Sequence, residues 1–333
     1  MLAVGIDVGG TKVLGVRLER VGGRVRVAER IHLPVARGHA DSSDGVAAQV
    51  ADVAAVLSVD TPGIPIGVGL AGFVGTDGVA ARSPNVPQVV GVDLGAALHE
   101  RLGVRPLVDN DANCVATAAL ALRTPRVSDL VAVTFGTGIG GGLVAGGELL
   151  RGSRGFAGEP GHMVVVRDGI PCVCGQSGCW ERYASGARLS ELATEAFAGG
   201  RVARPDADRS GTSIGSRSAR PGELLVEAAR AGDAGALEVL AEFSGWLAVG
   251  LANLVNLLDP ELLVIGGGLS SALDVLSEPL TGHLASNPTI SDRVPPLEAA
   301  PMAEASGAVG AALMAMRGAG TDPRPDPTAR PGQ

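Results

Sequence analysis

Several short stretches have the residue types and spacing to do chemistry. Asp7-Val8-Gly9-Gly10-Thr11-Lys12 offers two glycine amides, a hydroxyl, a cation and a carboxylate within one turn. Glycine lets a backbone approach an anion because it has no Cβ, and successive amides in a turn make an anion-binding concavity. A second turn of the same character runs from Gly136 to Gly142 and includes Thr137 and Gly138, and Gly266-Gly267-Gly268 follows another apolar run. The first fits neither a Walker A loop nor a dinucleotide fingerprint, and each alone is also an ordinary hairpin turn. Together the three point to phosphate binding.

His162, Cys172, Cys174 and Cys179 have the spacing H-x9-C-x-C-x4-C. Three thiolates and one imidazole complete a tetrahedral shell, and a shell closed by four protein ligands is the mark of structural Zn²⁺. Glu159 lies three residues before His162 and Glu181 two after Cys179, so one ion would fix two carboxylates suited to adjacent sugar hydroxyls. Cys114 stands apart and reads as a small buried hydrophobe.

The last cluster is Asp109-Asn110-Asp111-Ala112-Asn113, placed where an apolar run gives way to an alanine-rich one. Such strand-to-helix junctions carry functional groups in α/β proteins. Phosphoryl transfer to an alcohol needs a carboxylate that orients the hydroxyl and takes its proton, with amides and positive charge around the phosphoryl group. A helix cap would use the same residues, with Asn110 or Asp111 as the capping side chain.

The elements that must hold these groups follow from the apolar pattern. Residues 2–8 and 13–18 predict a hairpin around the first turn, with a third strand over 25–35 and a helix through Ala47, Val50, Val53, Ala54 and Leu57. Strands are expected at 65–70 and 106–108, a helix at 94–102, and an alanine-rich helix to about residue 122. The pattern restarts with a strand at 130–135, the glycine turn, and a return strand beginning at Leu143. Two such strand–turn–strand units suggest two related lobes. Beyond Ser185 the chain turns helical, with an apolar stripe at Leu247, Leu251, Leu254, Val255 and Leu258, then a strand over 261–265. Residues 199–222 read as a mobile surface insertion and 318–333 as a disordered tail, on their Gly, Arg, Ser, Asp and Pro content.

At 333 residues the chain exceeds what one hydrophobic core usually organises. A net charge of −8 and 2% aromatic content argue against a nucleic-acid partner. Lys12 is the one lysine among 27 basic residues, and it sits in the most phosphate-like turn. The longest uncharged run, Leu130–Gly147, carries seven glycines and reads as strand–turn–strand, not a membrane helix. Three of the four cysteines lie within eight residues, which suits a metal site in a reducing compartment. With no signal peptide read at the N-terminus, a cytoplasmic protein without membrane contact is expected.

The segments GIDVGGTK (5–12), GLAGFV (69–74), SPN (83–85), DNDAN (109–113), FGTGIGGG (135–142), GEPGH (158–162), CVCGQSGCWERYASG (172–186) and IGGGLS (265–270) resemble, in order, those of the ROK family of repressors, open-reading-frame proteins and sugar kinases. CWERYASG and GLAGFV are most similar to its actinobacterial-type glucokinases. The resemblance implies an α/β, actin-like ATPase (RNase H-like) fold of two lobes with a central cleft. The lobes expected are 1–115, completed by a helix at about 304–317, and 116–303, containing a zinc loop at 159–181. Asp111 is implied as general base for the 6-hydroxyl of glucose, and Asn85, Asn110, Asp111, Glu159, His162 and Glu181 as sugar ligands. For ATP, Gly9, Gly10, Thr11 and Lys12 form one phosphate loop and Thr137 and Gly138 the other, with Asp7 acting through Mg²⁺ and Gly266, Gly267 and Gly268 near the adenosine. The chain departs from the family pattern at Asp109, where glutamate is common, at Cys114, where alanine is frequent, and at Pro160. A homodimer or homotetramer is implied. Other readings are a kinase for N-acetylmannosamine, N-acetylglucosamine or fructose, polyphosphate as donor, and a catalytically silent sensor or regulator. A regulator would need an N-terminal helix-turn-helix ahead of the first strand.

Overall fold

The computed structural model describes residues 1–10, 12–35, 42–203 and 220–319. Thr11, most of the expected insertion (204–219) and nearly all of the expected tail (320–333) lie outside them. By packing the chain divides into two units: residues 1–128, 142–158 and 300 onward form the first, and 129–141 with 159–299 the second.

In the first unit β1 (Leu2–Val8), β2 (Lys12–Val21), β3 (Arg24–Pro34), α1 (Ser43–Leu57), β4 (Ile66–Leu70), the short hairpin of β5 (Phe73–Val74) and β6 (Ala80–Arg82), α2 (Leu94–Leu102), β7 (Leu107–Asn110) and α3 (Asp111–Leu122) follow in order. The sheet order is β3-β2-β1-β4-β7, antiparallel on the β2 side of β1 and parallel across β4 and β7.

The alternation of side chains along β1 decides where its chemistry goes. Val4, Ile6 and Val8 join α1 and α2 in one core. Ala3, Gly5 and Asp7 therefore point to the other face, where the C-terminal helix packs. That face has to be small. A Cβ on Gly5 would lie within 2.0 Å of the helix carbonyl of Ala308, and the same holds for its strand partner Gly67 against Ala311. The close approach seats the N-terminus of that helix at Asp7. A Cβ on Gly307 would be 3.1 Å from the Asp7 carboxyl.

The second unit holds β8 (Leu130–Phe135) and the start of β9 (Ile139–Ala145); the end of β9 and β10 (Glu148–Leu149) fall in the first unit, and the second resumes with α4 (Glu181–Ala184), α5 (Gly186–Ala198), α6 (Pro221–Arg230), α7 (Ala234–Leu258), β11 (Leu262–Gly267), α8 (Leu273–Ala285) and β12 (Leu297–Ala299). The final helix α9 (Ser306–Gly318) returns to the first unit. The second sheet runs β10-β9-β8-β11-β12, the strand order of the first repeated.

Three expectations need correction. The lobe boundary after residue 115 falls inside α3, which packs as one continuous helix in the first unit. The return strand starts at Ile139, four residues early, so the glycine turn narrows to 136–138 and Gly140–Gly142 pair as strand. The expected surface insertion 199–222 runs two residues too far, because Pro221 opens α6; the α7 residues Leu247, Leu251, Leu254 and Val255 are buried in the core of their own unit. By length and composition α7 could cross a bilayer, but half of its most apolar stretch is buried in the protein.

Glycine at position 67 should be required by this packing. Gly67→Ala should lower stability by about 1–3 kcal/mol, the usual cost of forcing atoms into a filled core. Urea unfolding checks it, and an unchanged midpoint would remove the close-approach argument.

Candidate functional site

In the first unit the strand register builds an acidic row. Asp7 pairs with Gly69 and Gly69 with Asp109, so the three point to the α3/α9 face. Asp111 begins α3 one residue after the strand ends, and a Cβ on Gly69 would stand 3.5 Å from its Cα. Asn110 is the cap: its Oδ1 accepts from the Asn113 amide at 3.0 Å, and its Nδ2 donates to Gly72 O at 2.8 Å. The Oδ1 of Asp111 accepts from the Ala112 amide at 2.9 Å.

Burial raises the Asp111 carboxyl above its ordinary range. Burial, and then the charge of Asp111, push Asp7 up to about 7, against a smaller opposing pull from Lys12. Two carboxyls here compete for room to ionise, which is a site that asks for a cation or a proton. Hard oxygen donors of this kind suit Mg²⁺.

The first glycine turn closes through a Gly9 amide donating to Lys12 O at 3.0 Å. Gly10 lies against the main chain of Asn85, whose carbonyl a Cβ would approach to 2.7 Å, so the turn and Asn85 are in contact. Asn85 is exposed, and the turn carrying it is pinned by Ser83, whose hydroxyl donates to Ala71 O and accepts from the Val86 amide. Lys12 Nζ reaches Glu304 at 3.8 Å, an exposed pair that was not legible in the sequence. Thr11 is outside the described residues.

In the second unit the four soft ligands converge. One ligand atom each from His162, Cys172, Cys174 and Cys179 lies within 4.8 Å of the others, and the Sγ atoms of Cys174 and Cys179 are 3.5 Å apart. A tetrahedral ion with Zn–S bonds of about 2.3 Å needs S···S of roughly 3.8 Å, so the set fits. His162 sits on a 3-10 turn, Pro160–His162, that Pro160 opens at a position needing no N–H. Cys172 and Cys174 lie in a tight turn whose Cys172 amide donates to Gln176 O at 2.8 Å, and Cys179 is bridged to Val164.

Glu181 joins this cluster to the second glycine turn. Its Oε1 accepts from Cys172 Sγ at 3.1 Å and lies 3.8 Å from His162 Nδ1. A Cβ on Gly138 would be 2.7 Å from its Oε2. The Gly186 amide also donates to Gly136 O at 2.8 Å, so the segment after the last cysteine braces the turn at both ends. Gly266 and Gly267 pair with Thr134 and Phe135, which sets Gly266–Gly268 beside the strand leading into that turn. Glu159, half-buried, precedes the turn carrying His162.

Sequence reasoning missed two supports. Trp180, fully buried, donates to Trp246 O at 2.7 Å and stacks edge-on against Phe135 at 5.6 Å, fixing the metal loop to α7. The chain's few aromatics were the available signal. Arg151 forms a bidentate ion pair with Asp109, and nothing in the spacing links residues so far apart.

Two α/β units on sheets of this strand order, with glycine turns at their strand ends, define the actin-like ATPase fold. The ROK family model matches residues 3–317, and the chain belongs to the ROK family. It is 33% identical over 293 residues to a glucokinase of Halalkalibacterium halodurans, covering 84% of each chain. An N-acetyl-D-glucosamine kinase of Pectobacterium atrosepticum is 31% identical over 324 residues, 93% of this chain and 97% of that one. Among solved structures, a ROK family glucokinase from Streptomyces griseus in complex with glucose and AMPPNP superposes with a TM-score of 0.79 at 30% identity, covering 95% of this chain and all of that one.

The Asp7 environment makes a pH-dependent prediction. Its carboxyl is raised in the folded state, so its contribution to stability is complete below about pH 4 and is lost as pH rises through about 7. Asp7→Asn should therefore raise Tm relative to the native chain more at pH 8 than at pH 5. An equal difference at both pH values in calorimetry would contradict the burial described.

Proposed function

We propose that this chain is an ATP-dependent hexokinase of the glucokinase type, transferring the γ-phosphoryl group of ATP to the 6-hydroxyl of glucose. The observation that carries the reading is Asp111, a half-buried carboxylate at the first position of α3 whose proton affinity is raised by desolvation. Asp111 takes the hydroxyl proton as the sugar oxygen attacks the γ-phosphorus and the bond to the β-phosphate oxygen breaks, releasing ADP. Asn85, Asn110, Glu159, His162 and Glu181 bind the sugar. Gly9, Gly10, Thr11 and Lys12 form one phosphate loop and Thr137 and Gly138 another, and Gly266–Gly268 serve the adenosine. Asp7 would hold the Mg²⁺ that accompanies ATP and neutralises its phosphate charge.

The ligand set of His162, Cys172, Cys174 and Cys179 supports one structural Zn²⁺. Its place is to hold the loop from which His162 and Glu181 face the sugar. Trp246, Val249 and Leu257 are exposed on one side of α7 and support a homodimer or homotetramer, which light scattering would read as two or four times 33.2 kDa. A single-chain mass would refute it. The chemistry fits a cytoplasmic enzyme. N-acetylglucosamine is the second substrate reading, favoured by a relative matched over nearly its full length.

Asp111→Asn should cut kcat by about 10²–10⁴-fold while sugar binding survives, because the amide fills the same space. Turnover near the native level would remove the base assignment. Comparing kcat/KM for glucose, mannose, fructose, N-acetylglucosamine and N-acetylmannosamine should place glucose first. A site built to bond a hydroxyl discriminates strongly against analogues that leave its polar groups unpaired. An acetamido sugar in first place would keep the kinase and discard glucose.

Elemental analysis should find about one zinc per chain. Cys174→Ala should lose it, alter the fluorescence of the adjacent Trp180 and raise KM for sugar more than for ATP. Full metal content in that variant would overturn the site.

A further inference from the structure

Asp109 is the most completely enclosed carboxylate near the proposed base, 6% exposed, and every bond it makes is accounted for. Its Oδ1 accepts from the Asn110 amide at 2.7 Å and from Asn113 Nδ2 at 2.8 Å. Its Oδ2 accepts from Arg151 Nε at 2.9 Å and lies 2.8 Å from Arg151 Nη2. The two halves of this carboxylate thus do different things. One grips the first turn of α3 on both sides of Asp111, and the other takes its balancing charge from a residue far along the chain.

The balance matters because of the company. Asp7 and Asp109 share one sheet face across Gly69, and Asp111 follows at once. Lys12 is directed to Glu304, outside this row. Arg151 itself is fixed at its main chain, where its carbonyl accepts from the Ala157 amide at 3.0 Å and closes the 151–157 loop. Its guanidinium is the cation that the structure sets against this row, and the planar two-donor fork is what a buried carboxylate needs.

We propose that Arg151 is a positioning residue for phosphoryl transfer, holding the Asp109 carboxyl aligned so that the α3 N-terminal turn presents Asp111 in one orientation. The proposal rests on the reading of Asp111 as base. It assigns a role to the departure at position 109, where the shorter aspartate is reached by a long arginine. Removing one partner of a buried pair strands the other charge, whereas removing both need not. A misplacement of about 1 Å at a reacting group is enough to cost about 10²-fold in rate.

The test is steady-state kinetics on the full chain with glucose and MgATP, for Arg151→Met, Asp109→Asn/Arg151→Met and Asp111→Asn. Arg151→Met should lower kcat by about tenfold or more, with both KM values within about threefold of native, and should speed amide exchange at Asn110 and Asn113. The double variant, with no stranded charge, should turn over faster than Arg151→Met alone. A purely structural pair would lower Tm and leave kcat per folded site unchanged. A native-like kcat in Arg151→Met, or a double variant no faster than the single, overturns the proposal. If Arg151→Met does not fold, Arg151→Lys replaces it. That variant keeps the charge and loses the fork, so it should lose kcat by about three- to tenfold, and a native-like value overturns the proposal equally. Asp111→Asn separates the failures. Native-like turnover there removes the base and with it the positioning role. An inactive Asp111→Asn beside an unaffected Arg151→Met removes the positioning role alone.

Discussion

Keeping Asp7 and Asp111 near one another on a half-buried sheet face is the constraint that the first unit is arranged around. Two carboxyls in such a place resist ionising together, and burial makes the resistance larger. The sheet face that carries them is stripped to Ala3, Gly5, Gly67 and Gly69 so that α9 and α3 can close over it. The same closeness sets the α9 N-terminus at Asp7, where the helix dipole favours negative charge. Asn110 caps α3 and ties it to Gly72, and Asp109 with Arg151 holds the turn from beneath.

The second unit meets a different problem with a different device. Its reactive loop is long, glycine-rich and without a helix of its own between Gly161 and Trp180, apart from the short turn at His162. Four soft ligands at one point give such a loop a fixed centre, and Trp180 anchors it to α7. Glu181 then stands between the ligand cluster and Gly138. The loop of Cys172, Cys174 and Cys179 and the second glycine turn are accordingly joined through Glu181, where the sequence showed two separate segments.

Much of this was legible without coordinates because the informative residues are local. Cysteine and histidine spacing specifies a metal shell by itself, and Asp-Asn-Asp after an apolar run specifies a helix start with spare carboxylates. The hairpin around Gly9–Lys12 and the strand at 130–135 followed from short apolar runs bounded by glycine turns. What could not be read were relations set by register and helix docking. Arg151 meets Asp109 only because the chain returns to the first unit after β9, and the α7 stripe could not declare itself core or interface. The lobe boundary was misplaced for the same reason, since α3 looks alike on either side of residue 115.

The account stands on the mutual influence of the two acids, and a carboxyl titration reads it directly. With aspartate ¹³C-labelled at the side-chain carboxyl, NMR should show one signal with a midpoint near 7 that is absent in Asp7→Asn. In Asp111→Asn that midpoint should fall, because a neighbouring negative charge has been removed. If every aspartate titrates near its ordinary value of about 3.9, or the Asp7 midpoint is unmoved in Asp111→Asn, the carboxylate pair is not the organising feature described.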